Sequence, residues 1–392
     1  MTDPGIFDGL VGQDAVVAEL RQAAAAAAAV LRGEPRTGMT HAWLFTGPPG
    51  SGRSVAARAF AAALLCPDGG CGQCAACRQV RAGTHADLLL VRPDGLSYGV
   101  RQTRSLVLRA AGTPSAGRWR VVLFEDADRA TEQAANALLK AIEEPAPRTV
   151  WLLCAPSAEE LVTTIRSRCR LVVLRTPPAE AIAGVLTREG VEPGRALAAA
   201  RAAQGHIGRA RRLATDPAAA RWRDTVLAVP PRLTGIGPAL SAAAALVKAA
   251  EAEAAATSAE LDQPERDALR QAFGEGSTGK GVAKALRGAA GALKDLDDRQ
   301  KSRATRLKRD ALDRALLDLA AFYRDVLAVQ VGAHVDLVSA GHEADVTREA
   351  ESSPPEVTVR RIEAVMACRE RLELNAAPLL AVEEMTLALT AG

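Results

Sequence analysis

The chain has 392 residues, of which 48% are hydrophobic and 24% charged, which excludes a dominantly disordered state and predicts two or three domains. Only 3% are aromatic, so the core must come from Ala, Leu and Val, a composition that favours helices over β-sandwiches. Lys and Arg number 49 against 46 Asp and Glu, a net charge of +3, so any basic surface has to arise by local clustering. The longest apolar run, Ala23 to Leu31, is far short of the ~20 residues of a membrane span. Residues Met1 to Gly5 offer no basic or apolar leader region, and a cytoplasmic location is expected.

Residues 1–175 alternate between two patterns. Candidate strands are Ala42–Phe45, Asp87–Val91, Arg120–Phe124, Thr149–Cys154 and Arg170–Leu174. Candidate helices are Ala15–Leu31, Ser54–Leu65, Val100–Ala111, Thr131–Glu144 and Glu159–Ile165. This order predicts an α/β domain: a parallel sheet with helices on both faces. After Pro177-Pro178 no strand signal follows, and residues 176–224 read as a small helical unit. Residues 225–392 read as one all-helical domain, interrupted near 274–281 and 351–355. Acidic and basic residues alternate from Leu293 to Arg314, the pattern of a solvated helix face.

Three segments carry chemistry. Gly47-Pro48-Pro49-Gly50-Ser51-Gly52-Arg53-Ser54 lies between a candidate strand and a candidate helix, the setting of a phosphate-binding loop. Gly47, Gly50 and Gly52 let successive N–H groups turn towards phosphate oxygens, and Ser54 stands where a magnesium-binding hydroxyl belongs. Arg53, however, occupies the usual lysine position, and its planar fork does not substitute for a compact ammonium. Two readings stay open here: an ATP/Mg²⁺ site, or a turn that keeps only the shape. A second match, Gly274 to Gly281, has a lysine but lacks the terminal hydroxyl and follows a helix, so it reads as an interhelical loop.

The Arg120–Phe124 strand runs into Glu125-Asp126, where a P-loop ATPase would hold magnesium and polarise water. The order is Glu–Asp rather than the usual Asp–Glu, and with Arg53 it points to impaired or absent hydrolysis. Cys66, Cys71, Cys74 and Cys77 fall within twelve residues, with glycines supplying tight turns. Four thiolates at this spacing fit a closed, structural Zn²⁺ site. Cys154, Cys169 and Cys368 read as small core residues.

Together these segments resemble the clamp-loader branch of AAA+ proteins, and within it the delta-prime type of subunit. The resemblance rests on Phe7-Asp8-Gly9-Leu10-Val11-Gly12-Gln13, the P-loop with its four-cysteine insertion, Asn136 to Pro145, Ile165-Arg166-Ser167-Arg168-Cys169, and Leu374 to Glu383. It implies a domain order of AAA+ core (1–175), helical lid (176–224) and helical collar for assembly (225–392). It also implies partners: tau/gamma and delta subunits, a sliding clamp, and primed DNA through the complex, with no membrane. Arg168 would act in trans as an arginine finger on the nucleotide of a neighbouring subunit. Positions that sense nucleotide in the family's ATPases fall at Ala155 and Gly208, consistent with a subunit that does not hydrolyse ATP. Two other readings stay open. One is an active tau/gamma-type ATPase; the other is a zinc-dependent DNA-binding module using the eight arginines between Arg188 and Arg223.

Overall fold

The computed structural model describes residues 5–35, 38–93, 97–116, 118–272 and 282–391. These form two compact units, Met1–Arg211 and Arg212–Gly392. The Gly274–Gly281 match lies outside the described residues.

In the first unit the elements run α1 (Asp14–Leu31), β1 (Ala42–Thr46), α2 (Arg53–Leu65), α3 (Ala75–Ala82), β2 (Leu88–Val91), α4 (Val100–Ala110), β3 (Arg120–Phe124), α5 (Glu132–Glu143), β4 (Thr149–Ala155), α6 (Thr163–Arg166), β5 (Arg170–Val173), α7 (Ala179–Arg188), α8 (Pro193–Ala202) and α9 (Ile207–Thr215), the last running across the division between units. The five strands are parallel and ordered β2-β3-β4-β1-β5. This is the α/β core, a parallel sheet with helices on both faces, that the strand–helix alternation predicts.

Every residue of β1 and β4 is buried, as central strands covered on both faces require. On one face Trp43, Phe45, Leu123 and Leu152 pack with Leu20 and Phe60. On the other, Leu44, Phe124, Trp151 and Leu153 pack with Leu138 and Ile142. β5 is an edge strand whose Leu171 and Val173 face outward. Gln13 ties the N-terminal segment to the sheet, donating to the Arg175 carbonyl at 2.6 Å and accepting the Arg175 N–H at 3.3 Å.

Two expectations need correction. α6 is one turn, Thr163–Arg166, not the Glu159–Ile165 helix; the Ser157 hydroxyl accepts the Glu159 N–H, closing a local turn that competes with helix. α3, within the cysteine segment, has no counterpart among the expected helices.

The second unit contains α10 (Pro217–Leu227), α11 (Ile236–Ala272), α12 (Val282–Gln330), α13 (Glu343–Ser352), α14 (Pro355–Glu373) and α15 (Pro378–Ala391). Its core joins Val226, Leu246, Leu316, Phe322, Val365 and Leu389. α11 and α12 run antiparallel, since Arg303 meets Asp262 and Glu265 while Arg314 meets Glu253. The charges between Leu293 and Arg314 are therefore not simply a solvated face. Several reach across to α11, including Arg266–Asp297 at 2.8 Å and Lys308–Glu251 at 2.5 Å.

Candidate functional site

The P-loop segment has the backbone its glycines allow. Gly47 (φ 149°) leaves β1, and a Cβ there would lie 2.5 Å from the Leu174 carbonyl and 2.6 Å from the Ser51 hydroxyl. Gly50 (φ 89°) is backed by His206, whose Cβ would be 2.5 Å from any added methyl. Neither position accepts a side chain. Gly52 caps α2 in the left-handed region. The Arg53 guanidinium folds back and donates to the Gly47 carbonyl at 3.0 Å. The cation at the lysine position thus closes on its own loop.

Glu125 follows β3 and is committed to two other cations. Its carboxylate meets Arg58 of α2 at 2.9 Å and Arg92, just past β2, at 2.8 Å, with only 12% of its side chain exposed. The Tyr98 hydroxyl donates to the Glu125 carbonyl. Asp126 sits in the left-handed region (φ 49°), capping the short turn Ala127–Arg129. Next to it, burial pushes the Asp128 carboxyl upward, and the Asp126 charge adds to this. Ser54, Arg58, Arg81, Arg92 and Glu125, with Ile6 and Asp8 opposite, line an open cleft of about 610 Å³.

The cleft therefore joins Ser54 and Glu125 as the sequence predicts, but adds three arginines that sequence reasoning missed. Arg58 carried a usable signal, since it lies four residues after Ser54 and so on the same helix face. Arg92 carried none. An acid already holding two guanidinium groups is poorly placed to take a magnesium ion as well.

Arg168 is elsewhere. β1 and β5 are parallel, with Trp43 paired to Arg170. Arg168 thus stands at the entry end of the strands, whereas the P-loop and Glu125 lie at their exit end. Its Nη2 meets Glu143 at 2.6 Å, and its Nη1 donates to the Thr164 carbonyl at 2.8 Å and the Ser167 hydroxyl at 3.3 Å. The guanidinium is 39% exposed. It takes no part in this chain's own cleft.

The four cysteines converge, their sulfurs all within 4.8 Å of one another. Cys66 Sγ lies 3.7 Å from Cys71 and 3.6 Å from Cys74, near the ~3.8 Å edge of a tetrahedron with 2.3 Å metal–sulfur bonds. Backbone N–H groups of Asp68, Cys74 and Cys77 point at Cys66, Cys71 and Cys74 respectively. N–H donors from Gln73 and Cys74 lower the Cys71 thiol to about 7, while burial pushes Cys74 and Cys77 up. These residues fit a metal ion. Cys74 also caps α3, and the Gly70 carbonyl accepts the Ile6 N–H at 3.0 Å, so the module holds the N-terminal segment that walls the cleft.

The arginines between Arg188 and Arg223 do not form one free basic patch. Arg211 pairs with Glu189 at 2.5 Å, Arg212 with Glu253 at 2.8 Å, and buried Arg223 with Asp318 at 3.1 Å. Each of these cations is already neutralised within its own unit. Cys154 and Cys368 are buried, as expected, and Cys169 is half-buried against the sheet's second core.

The family described as "DNA polymerase III, delta subunit" matches residues 26–178. DNA polymerase III subunit delta' of Pseudomonas aeruginosa is 42% identical over 135 residues, 33% of this chain and 41% of that protein. The delta' subunit of Bacillus subtilis is 35% identical over 158 residues, 40% of this chain and 48% of that one. A gamma/tau subunit of Mycobacterium tuberculosis is 33% identical over 190 residues, covering 47% and 31%. The chain thus spans less than half the length of these relatives. Among solved structures, a gamma-subunit-related protein of Thermotoga maritima aligns over 89% of this chain and 99% of its own, at 15% identity and a TM-score of 0.36. Through residues 26–178, the α/β core of this chain is similar to the DNA polymerase III delta-subunit family, with delta' subunits among the relatives it matches.

Proposed function

We propose that this protein is a delta-prime-type subunit of a bacterial clamp loader, which helps place a sliding clamp on primed DNA in the cytoplasm. In this reading residues 176–224 act as a lid and 225–392 as a collar, with tau/gamma and delta subunits as neighbours. It contributes contacts and Arg168 rather than hydrolysis of its own. One contrast supports this reading: Glu125, 12% exposed, is held by Arg58 and Arg92 within the chain's own cleft, whereas Arg168, 39% exposed, stands at the opposite end of the sheet in a surface pair with Glu143. A guanidinium held only by surface acceptors can turn to neutralise charge developing on a phosphoryl group bound by a neighbour.

Zn²⁺ is the ion we assign to Cys66, Cys71, Cys74 and Cys77. It would supply a structural cross-link with no open coordination position. The Arg53 loop and Glu125-Asp126 would stand where a related ATPase holds ATP/Mg²⁺, but Glu125 is taken by Arg58 and Arg92 and the Arg53 guanidinium donates to the Gly47 carbonyl, which supports a site that does not hydrolyse. The match to gamma/tau subunits keeps an ATP-hydrolysing subunit as the alternative, which requires turnover by the isolated chain.

The test is reconstitution with tau/gamma and delta subunits, clamp and primed DNA. Arg168→Ala should lower DNA-stimulated ATP hydrolysis about tenfold or more at the site served, with the variant still assembling. An unchanged rate, or brisk hydrolysis by the wild-type chain alone, would overturn this assignment.

A further inference from the structure

The contacts around Arg168 point one step further, and that step rests on the trans-acting role just proposed. Three acceptors hold the guanidinium back against its own chain: Glu143, the Thr164 carbonyl and the Ser167 hydroxyl. Thr164 and Ser167 are local, four residues and one residue away. Glu143 is not, because it comes from the last residue of α5, with β4 intervening. A carboxylate at a helix C-terminus is unfavourable, since it adds to the negative end of the helix dipole. The Arg168 cation relieves that, and both side chains are about 40% exposed, so the pair can open without exposing a core.

We propose that Glu143 is a positioning residue for Arg168. Its carboxylate parks the finger on the home subunit and releases it when the triphosphate of a neighbour offers a denser negative charge. Glu143 and the phosphate then compete for one guanidinium. The clasp sets how much nucleotide is needed at the adjoining site, and the phosphate contact itself sets how fast that site turns over. Exposed ion pairs are weak, so the threshold they can impose is small, at most about fivefold in apparent affinity.

The experiment uses the full chain reconstituted with its ATPase neighbours, clamp and primed DNA, with ATP titrated. Glu143→Gln keeps the shape and removes the charge. The expected result is a KM for ATP about two- to fivefold lower than wild type, with kcat changing less than KM. Glu143→Asp should move KM back towards wild type, and the double variant Glu143→Gln/Arg168→Ala should match Arg168→Ala alone. If Arg168→Ala depresses turnover while Glu143→Gln leaves KM at the wild-type value, or lowers kcat without moving KM, the clasp is wrong and the finger stands. If Arg168→Ala itself has no effect, the finger reading fails and the clasp falls with it. Thermal melts of each variant confirm that the fold is kept.

Discussion

At Asp87 a carboxylate with no exposed surface receives the N–H groups of Ser115 and Ala116, at 2.6 and 2.8 Å, and lies 3.4 Å from Arg120. Burial pushes this group upward; the two donors and the Arg120 charge outweigh it and leave the carboxyl below its ordinary range. A depressed folded value means stability that is fully present above the unfolded value of about 4 and lost as pH falls through the folded one. Asp87→Asn should therefore cost about 1–3 kcal/mol near neutral pH. The gap from wild type should shrink on acidification below about pH 4. Denaturant unfolding of both proteins across that range is the measurement, and a constant gap would refute the argument. The sequence places Asp87 as the first residue of a strand and gives no hint of this role. Its partners are 28 to 33 positions away, and those that turn Glu125 from a candidate magnesium ligand into a clamped acid are 33 and 67 away. Local motifs report residue types at a loop; which distant arginine closes on it is decided by packing.

The elements themselves were largely legible, because period and length carry the information. Arg120–Phe124 is found as expected, and the other four strands shift by one residue at an end, since β1 and β4 are continuous apolar runs bounded by turn residues. The failures have physical causes. α3 hid among cysteines and glycines because its helix is set by the Cys74 cap and by sulfur convergence, not by apolar period. The break between α12 and α13, residues 331–342, lies outside the interruptions expected near 274–281 and 351–355, since Val335, Leu337 and Val338 keep apolar residues closely spaced through it. The convergence of the four cysteines into a group that could hold a metal ion was legible, while its grip on residues 5–10 was not. Gly70 (φ 107°) lies so close to Ile6 that an added Cβ would sit 2.6 Å from Ile6 Cγ2. Removing the metal should loosen Cys66–Ala82 and, through the Ile6–Gly70 bond, the N-terminal segment. Hydrogen exchange before and after anaerobic chelation should show faster exchange at residues 5–10 and 66–82, with β1 and β4 unchanged. Metal analysis should return about one Zn²⁺ per chain. Uniform exchange after chelation would show that the ion does not brace this part of the molecule.

On the scale of the whole chain, the second unit separates what holds the fold from what extends it. Its core uses residues 226–250 and 311–389. Beyond that core, among the described residues, the α11–α12 pair is held in large part by ions: Arg303 with Asp262 and Glu265, Arg266 with Asp297, and Lys308 with Glu251, beside a few buried apolar residues such as Ala254 and Leu296. Partly exposed ion pairs add little each and are screened by salt, so the outer part of the pair should open more easily than its base. Replacing residues 256–305 by a short flexible linker keeps every residue of that core cluster. The shortened chain should keep a cooperative thermal transition, with a Tm only a few degrees from the parent. In the parent, raising salt from about 0.05 to 1 M should speed hydrogen exchange in 256–272 and 291–305 but not in 311–326, because screening reaches the exposed pairs and not the apolar base. Loss of the cooperative transition on shortening would mean that the outer helices are part of the folding core, and the ionic account of their stability would have to be abandoned.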